Sequence, residues 1–165
     1  IEAVETLTTD KAVKLFEKFG IFTKAELESR EEVLYEIYAK TINIEALTMV
    51  DMASKEIIPA VIKYSKSLAD SVLAVKEAGA DAEVQTELLK EVSAKLTEMK
   101  TALAKLEEVE AKAAAMENAK DQAFYYKDVV KAAMDELRKP ADELEMIVDK
   151  KVWPFPTYAD LMFEV

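Results

Sequence analysis

The chain reads as all-α, an antiparallel bundle of three long helices with one or two short ones, closing in an extended, aromatic and proline-rich C-terminal tail. Three observations predict this. Only two glycines and four prolines interrupt 165 residues, so long stretches carry no helix breaker. Alanine, glutamate, lysine and leucine dominate the middle of the chain, while valine and isoleucine show no strand-like alternation. Apolar residues recur instead at three- and four-residue spacing over long runs.

The longest run is a spine from Ser29 to Lys76, with Pro59 the one proline inside it. Ser29 with Glu32 makes a capping box at its start, and Gly79 offers the left-handed residue that ends it. Thr23 with Glu26 forms another capping box, so a turn from Lys24 either precedes the spine or runs into it, and the helix is placed at about 24–77. An apolar seam runs Leu47, Val50, Ile57, Val61, Leu68, Val72 and Val75. Between Ile42 and Tyr64 further apolar residues, among them Ile44, Met52, Ile58 and Ile62, spread beyond one stripe, and such a helix needs cover on most sides. Pro59 has no N–H for the carbonyl of Lys55, which predicts a bend or local loosening.

The other elements follow in order. Ile1 to Thr8 read as extended or unstructured. Thr9 caps a short helix over 9–19 that Gly20 ends; Val13 and Phe16 share a face, Ile21 and Phe22 plug the connection, and the helix is expected to dock on the first half of the spine. Asp81 is the expected cap of a second long helix over 81–116, whose seam Leu89, Val92, Leu96, Met99, Leu103, Leu106 is a heptad pattern and predicts an antiparallel hairpin with the spine. Asn118 caps a helix over 119–149, in which Pro140 is expected to give a kink rather than a new start. Pro154 and Pro156 forbid regular helix around Trp153, Phe155 and Tyr158, so residues 150–165 read as a docked tail. All of this fits one domain, 1–165.

The composition narrows the chemistry. Without cysteine or histidine, thiol and imidazole nucleophiles, Ser-His-Asp arrangements and metal sites needing sulfur or imidazole are excluded. The Glu-x-x-His pairs of di-metal helical bundles are excluded with them. A net charge of -11 opposes nucleic acid and anionic membranes as partners, and no run reaches the roughly 18 apolar residues of a membrane span. A cytoplasmic chain is expected. It begins with Ile1 rather than methionine, which suggests a piece of a larger protein. No glycine-rich phosphate loop can form, so nucleotide binding by this chain alone is not expected.

Lys40, Thr41, Asn43 and Glu45 stand in an otherwise apolar helix, where they either line a small-molecule site or bond across a helix interface; the interface is the favoured reading. The Phe124-Tyr125-Tyr126 cluster reads as core rather than as a ligand platform. No catalytic, cofactor-binding or metal residue is assigned. The residues expected to make packing or interface contacts are Ile42, Asn43, Glu45, Ile58, Trp153, Phe155 and Tyr158.

Particular strings carry more than periodicity. Lys40-Thr41-Ile42-Asn43-Ile44-Glu45-Ala46, Ile57-Ile58-Pro59-Ala60, Tyr125-Tyr126-Lys127-Asp128-Val129-Val130 and Trp153-Pro154-Phe155-Pro156-Thr157-Tyr158 stand in this order. Together they resemble the C-terminal region of bacterial type III glutamine synthetases, from about Thr8 to Val165. The resemblance implies a large cytoplasmic enzyme that joins ammonia to glutamate using ATP and a divalent metal, Mg or Mn, and that assembles from stacked hexameric rings. Its catalytic segments would lie upstream. Nothing here matches the family's metal-binding glutamates, ATP signature or substrate-binding arginines, so this fragment is expected to be non-catalytic and to hold no cofactor. Its implied partners are the rest of the parent enzyme and neighbouring subunits. After Tyr158 a basic residue would be expected and Ala159 stands there. The alternative is a free-standing helical module whose Leu89 to Leu106 seam pairs with another protein.

Overall fold

Thr23 opens the longest element. Its N–H and hydroxyl both donate to the Glu26 carboxylate, at 2.7 and 2.9 Å, and the Glu26 N–H returns to Thr23 Oγ1 at 3.4 Å. This reciprocal cap satisfies donors that the first helical turn leaves without partners. The computed structural model describes residues 1–163, and within them the protein is an all-helical bundle. A 3-10 turn, Val4–Thr8, is followed by α1 (Asp10–Lys18), α2 (Lys24–Met52), a π-helical segment (Ala53–Ile57) and α3 (Ile58–Glu77). Then come α4 (Glu83–Ala114), α5 (Ala119–Tyr125), a second π segment (Tyr126–Val130), α6 (Lys131–Ile147) and α7 (Tyr158–Phe163).

Several expectations are corrected. The helix runs straight in from Lys24, so Ser29 is an interior helical residue and no cap. The N-terminus is a 3-10 turn rather than an extended segment, with Thr6 Oγ1 donating to the Ala3 carbonyl at 2.7 Å. Ordered helix begins at Glu83 rather than at an Asp81 cap. The tail is not extended throughout: the Val152 and Trp153 N–H groups both return to the Asp149 carbonyl, and α7 follows. Thr9 and Asn118 do cap α1 and α5, and Gly20 and Gly79 take φ of +63° and +78°. α6 continues through the buried Pro140 instead of restarting there.

The break expected at Pro59 falls just before it. Ile58 N–H bonds the carbonyl of Ala53, five residues back, so the chain makes a π turn and Pro59 becomes the second residue of α3. There its missing N–H has no partner to lose.

The helices gather into two compact units. The first comprises Ile1–Leu47 with Glu108–Ala132, the second Thr48–Glu107 with the chain from Ala133 on. In the first unit the buried residues are Leu27, Tyr35, Ala39, Ile42 and Ala46 of α2, Ala113 of α4, and Ala123, Tyr126 and Val130. In the second they include Ala53, Ile57, Val61 and Leu68, then Val92, Met99, Leu103 and Leu106, then Ala133, Leu137, Leu144, Val148 and Trp153. Each large apolar side chain buried this way contributes about 1.5 to 3 kcal/mol. Four of the six α4 heptad positions are thus core, and Leu89 and Leu96 are half-buried.

The spine is covered less than its composition demands. Leu47, placed in the seam by its spacing, is 48% exposed, and Ile37, Ile44 and Ile62 are 55%, 66% and 54% exposed. Val33, Ile37 and Ile44 occupy the side of α2 opposite Tyr35, Ala39, Ile42 and Ala46, so α2 is apolar on two faces and buries one.

Candidate functional site

The polar residues of the α2 string meet a mixed fate. Asn43 lies between the buried Ile42 and Ala46, at the edge of the packed face. Its amide donates one proton to Glu110 Oε1 at 3.1 Å and the other to the Tyr126 hydroxyl at 2.6 Å. Tyr126 is 1% exposed, and the desolvation of its phenol raises its pKa; the Asn43 bond opposes this and the Glu110 charge adds to it. Lys40 turns to Glu36 one helical turn earlier, at 2.6 Å, and Thr41 Oγ1 donates to the Ile37 carbonyl. Glu45 is exposed. The interface reading therefore describes Asn43 and not its neighbours.

Tyr126 reaches this position through backbone geometry. The Lys131 N–H bonds the carbonyl of Tyr126, five residues back, and the π turn lets Ala123, Tyr126, Val130 and Ala133 all fall on the buried side. Phe124 and Tyr125, the other members of the aromatic cluster, are only half-buried; Phe124 packs on Tyr35 with ring centroids 6.2 Å apart. Beside the node lies an open groove of about 410 Å³ lined by Ala39, Lys40, Asn43, Ile44, Gln122 and Tyr126. Gln122, one of the lining residues, donates to the Ala113 carbonyl at 3.0 Å.

Two ion pairs strap the N-terminal turn onto α5 and the π segment that follows it. Glu5 meets Lys120 at 2.9 Å, and Glu2 meets Lys127. The Lys127 ammonium holds the Glu2 carboxyl down at about 2. At the other end, Trp153 is 8% exposed and Phe155 half-buried. Ile58 is half-buried at the start of α3. The side chain of Tyr158 lies outside what the structure describes.

Glu110 and Tyr126 are the partners that the spacing of the α2 string did not name. Glu110 had a legible signal: the buried residues Met99, Leu103, Leu106 and Ala113 leave a gap in the heptad, and Glu110 fills it. A polar residue at a core position needs a partner. The node is fit for holding helices in register. It brings together a neutral amide, a phenol and one carboxylate, without a nucleophile and base in reach of each other. Among the described residues no group of acidic side chains could hold a metal ion, and no helix is long and apolar enough to cross a membrane.

Comparison with known proteins assigns the arrangement to a family. Residues 1–76 match the family model of the glutamine synthetase C-terminal domain. A glutamine synthetase of Butyrivibrio fibrisolvens is 39% identical over 159 residues, which is 95% of this chain and 23% of the relative. A type-3 glutamine synthetase of Dictyostelium discoideum is 32% identical over 98% of this chain and 23% of its own length. For a glutamine synthetase of Bacteroides fragilis the identity is 32%, over 87% of this chain and 20% of the relative. The chain thus spans about a quarter or less of the relatives it matches, and its matched part is nearly all of it. By these matches the chain belongs to the family of glutamine synthetase C-terminal domains.

Proposed function

We propose that this chain is the non-catalytic helical domain of a type III glutamate–ammonia ligase, packing on the catalytic body or on neighbouring subunits of a cytoplasmic homo-oligomer. One observation carries the reading: similarity runs along nearly the whole chain yet takes in only 23% of the Butyrivibrio relative. The rest of such an enzyme would hold the ATP and the divalent metal, Mg or Mn. Among the described residues no group of acidic side chains could hold the metal.

Exposed apolar surface supports a packing role. Val33, Ile37 and Ile44 are at least half exposed along one side of α2, and a surface of that kind marks a contact with other protein. The heptad seam argues against the rival reading of a free-standing adaptor, because Val92, Met99, Leu103 and Leu106 are fully buried within the chain's own core. They have no face left for another protein.

The test has two parts. The reading frame upstream of the codon for Ile1 should continue into a catalytic region, and the chain alone should form no glutamine from glutamate, ammonia and ATP. A start codon directly ahead of Ile1, or glutamine formation by the chain alone, would overturn the reading.

A further inference from the structure

Two side-chain amides beside the groove between α2 and α5 are fixed in orientation by partners that can only accept. Glu110 presents a carboxylate to Asn43, and Ala113 a carbonyl to Gln122, so each must face an amide nitrogen, at 3.1 and 3.0 Å. Asn43 Oδ1 and Gln122 Oε1 take no part in these bonds, and among the described residues no group donates to either oxygen. Both residues are half-buried. Among the described residues the buried side-chain polar atom without a hydrogen-bond partner is Glu143 Oε2, so the two amide oxygens are open to solvent.

Tyr126 adds a donor. The other Asn43 amide proton goes to its hydroxyl at 2.6 Å, which makes the phenol oxygen an acceptor and leaves the phenol's own proton in need of one. Among the described residues none takes that proton. Tyr126 is 1% exposed, and a buried donor without an acceptor is costly. Asn43, Gln122 and Tyr126 all line the groove of about 410 Å³, with Ala39 and Ile44 as its apolar wall. Lys40 lines it too, but its ammonium is drawn off by Glu36. The groove therefore sets a buried donor and two amide oxygens around an apolar wall.

We infer that this groove binds a small molecule carrying a primary carboxamide. The ligand's carbonyl oxygen takes the Tyr126 proton, its two N–H protons go to Asn43 Oδ1 and Gln122 Oε1, and its carbon stem lies on Ala39 and Ile44. A carboxylate in the same place would set a negative oxygen against two amide oxygens, and a ketone would leave both without a donor. Hydrogen-bond polarity, rather than size, thus selects the group. The inference concerns the first unit alone and does not depend on the ligase reading.

Titration of the isotope-labelled chain with isobutyramide, followed by NMR, tests it. Saturable shifts are expected at the side-chain amide signals of Asn43 and Gln122. Isobutyrate and methyl isopropyl ketone have nearly the same shape but replace the amide nitrogen with an acceptor or a methyl group. Each should bind about tenfold more weakly or worse, the factor that goes with a mismatched hydrogen bond. Tyr126→Phe keeps the ring and removes the proton, and should weaken isobutyramide by about tenfold with the helical circular dichroism unchanged. The ligand series needs no variant, so it decides the matter even where Tyr126→Phe unfolds the chain. Isobutyramide giving no saturable shift at these signals, either isostere binding as well as isobutyramide, or a folded Tyr126→Phe chain binding undiminished would each overturn the inference.

Discussion

Glu110 of α4 fills the heptad position between the buried Leu106 and Ala113, and Asn43 of α2 donates its amide to it at 3.1 Å. The same amide holds the Tyr126 hydroxyl. One side chain thus ties together three helical segments of the first unit. Replacing Asn43 with leucine leaves a part-buried carboxylate and a buried phenol short of a donor, and should destabilise the chain by about 1 to 3 kcal/mol in urea unfolding. In a double-mutant cycle with Tyr126→Phe the losses should fall short of additive by about 0.5 kcal/mol or more. Additive losses would show that the Asn43–Tyr126 bond contributes nothing of its own.

The two faces of α2 and the seam of α4 predict opposite mutational behaviour. Leu103→Ala removes a fully buried side chain and should lower stability by about 2 to 5 kcal/mol. Ile44→Ala, at a position 66% exposed, should fall within about 0.5 kcal/mol of wild type in the same chain. Equal effects on the urea midpoint would mean that Ile44 is covered.

Gly79 ends α3 at φ +78°, and nothing lies within 4 Å of where a Cβ would stand. The cost of Gly79→Ala is therefore conformational rather than steric, about 1 to 2 kcal/mol. Gly79→Asn should cost less, because asparagine visits the left-handed region more readily. Thermal midpoints ordered wild type, asparagine, alanine are expected.

Acid should loosen both ends of the chain. Lys127, mainly through its hydrogen bond, lowers the Glu2 carboxyl from 4.5 to about 2. Lys150 first, then the Thr157 hydroxyl and N–H, lower Asp160 from 3.8 to about 2. A carboxylate lowered in the folded state stabilises above its unfolded value and loses that contribution as pH falls toward the folded one. The window therefore runs from about 4.5 down to about 2 for Glu2 and from 3.8 to about 2 for Asp160. Glu2 is exposed and Asp160 half-buried, so added salt should shrink the effect more at Glu2. Carboxyl carbon titration by NMR should find both midpoints near 2, and Lys127→Gln should return Glu2 toward 4.5 while leaving Asp160 in place.

Much of this architecture was legible in local chemistry. Thr9, Thr23 and Asn118 each have the hydroxyl or amide an N-terminal cap uses, and Gly20 and Gly79 alone could take the left-handed turns that close α1 and α3. The heptad from Leu89 to Leu106 put Val92, Met99, Leu103 and Leu106 where they are buried. Ser29 misled because its cap pattern competes with a stronger box six residues earlier, and a serine inside a helix keeps the same spacing to a glutamate. Leu47 misled because periodicity locates an apolar face without saying which of two faces is covered. The π turns at Ala53–Ile57 and Tyr126–Val130 follow from packing on both sides of each, which no local window contains. At the node, Asn43 was visible as a polar residue among apolar ones, while its partners lie 67 and 83 positions away.

The π turn ahead of Pro59 also has a genetic consequence. Such a turn is an α-helix holding one surplus residue, so removing a single codon within Ala53–Ile57 keeps the helical register of the side chains that follow, while setting Pro59 inside unbroken helix. The same deletion elsewhere between Lys24 and Glu77 would swing every later side chain by about 100°. Length differences of one residue among kindred sequences should therefore collect at this turn and be rare elsewhere in α2 and α3.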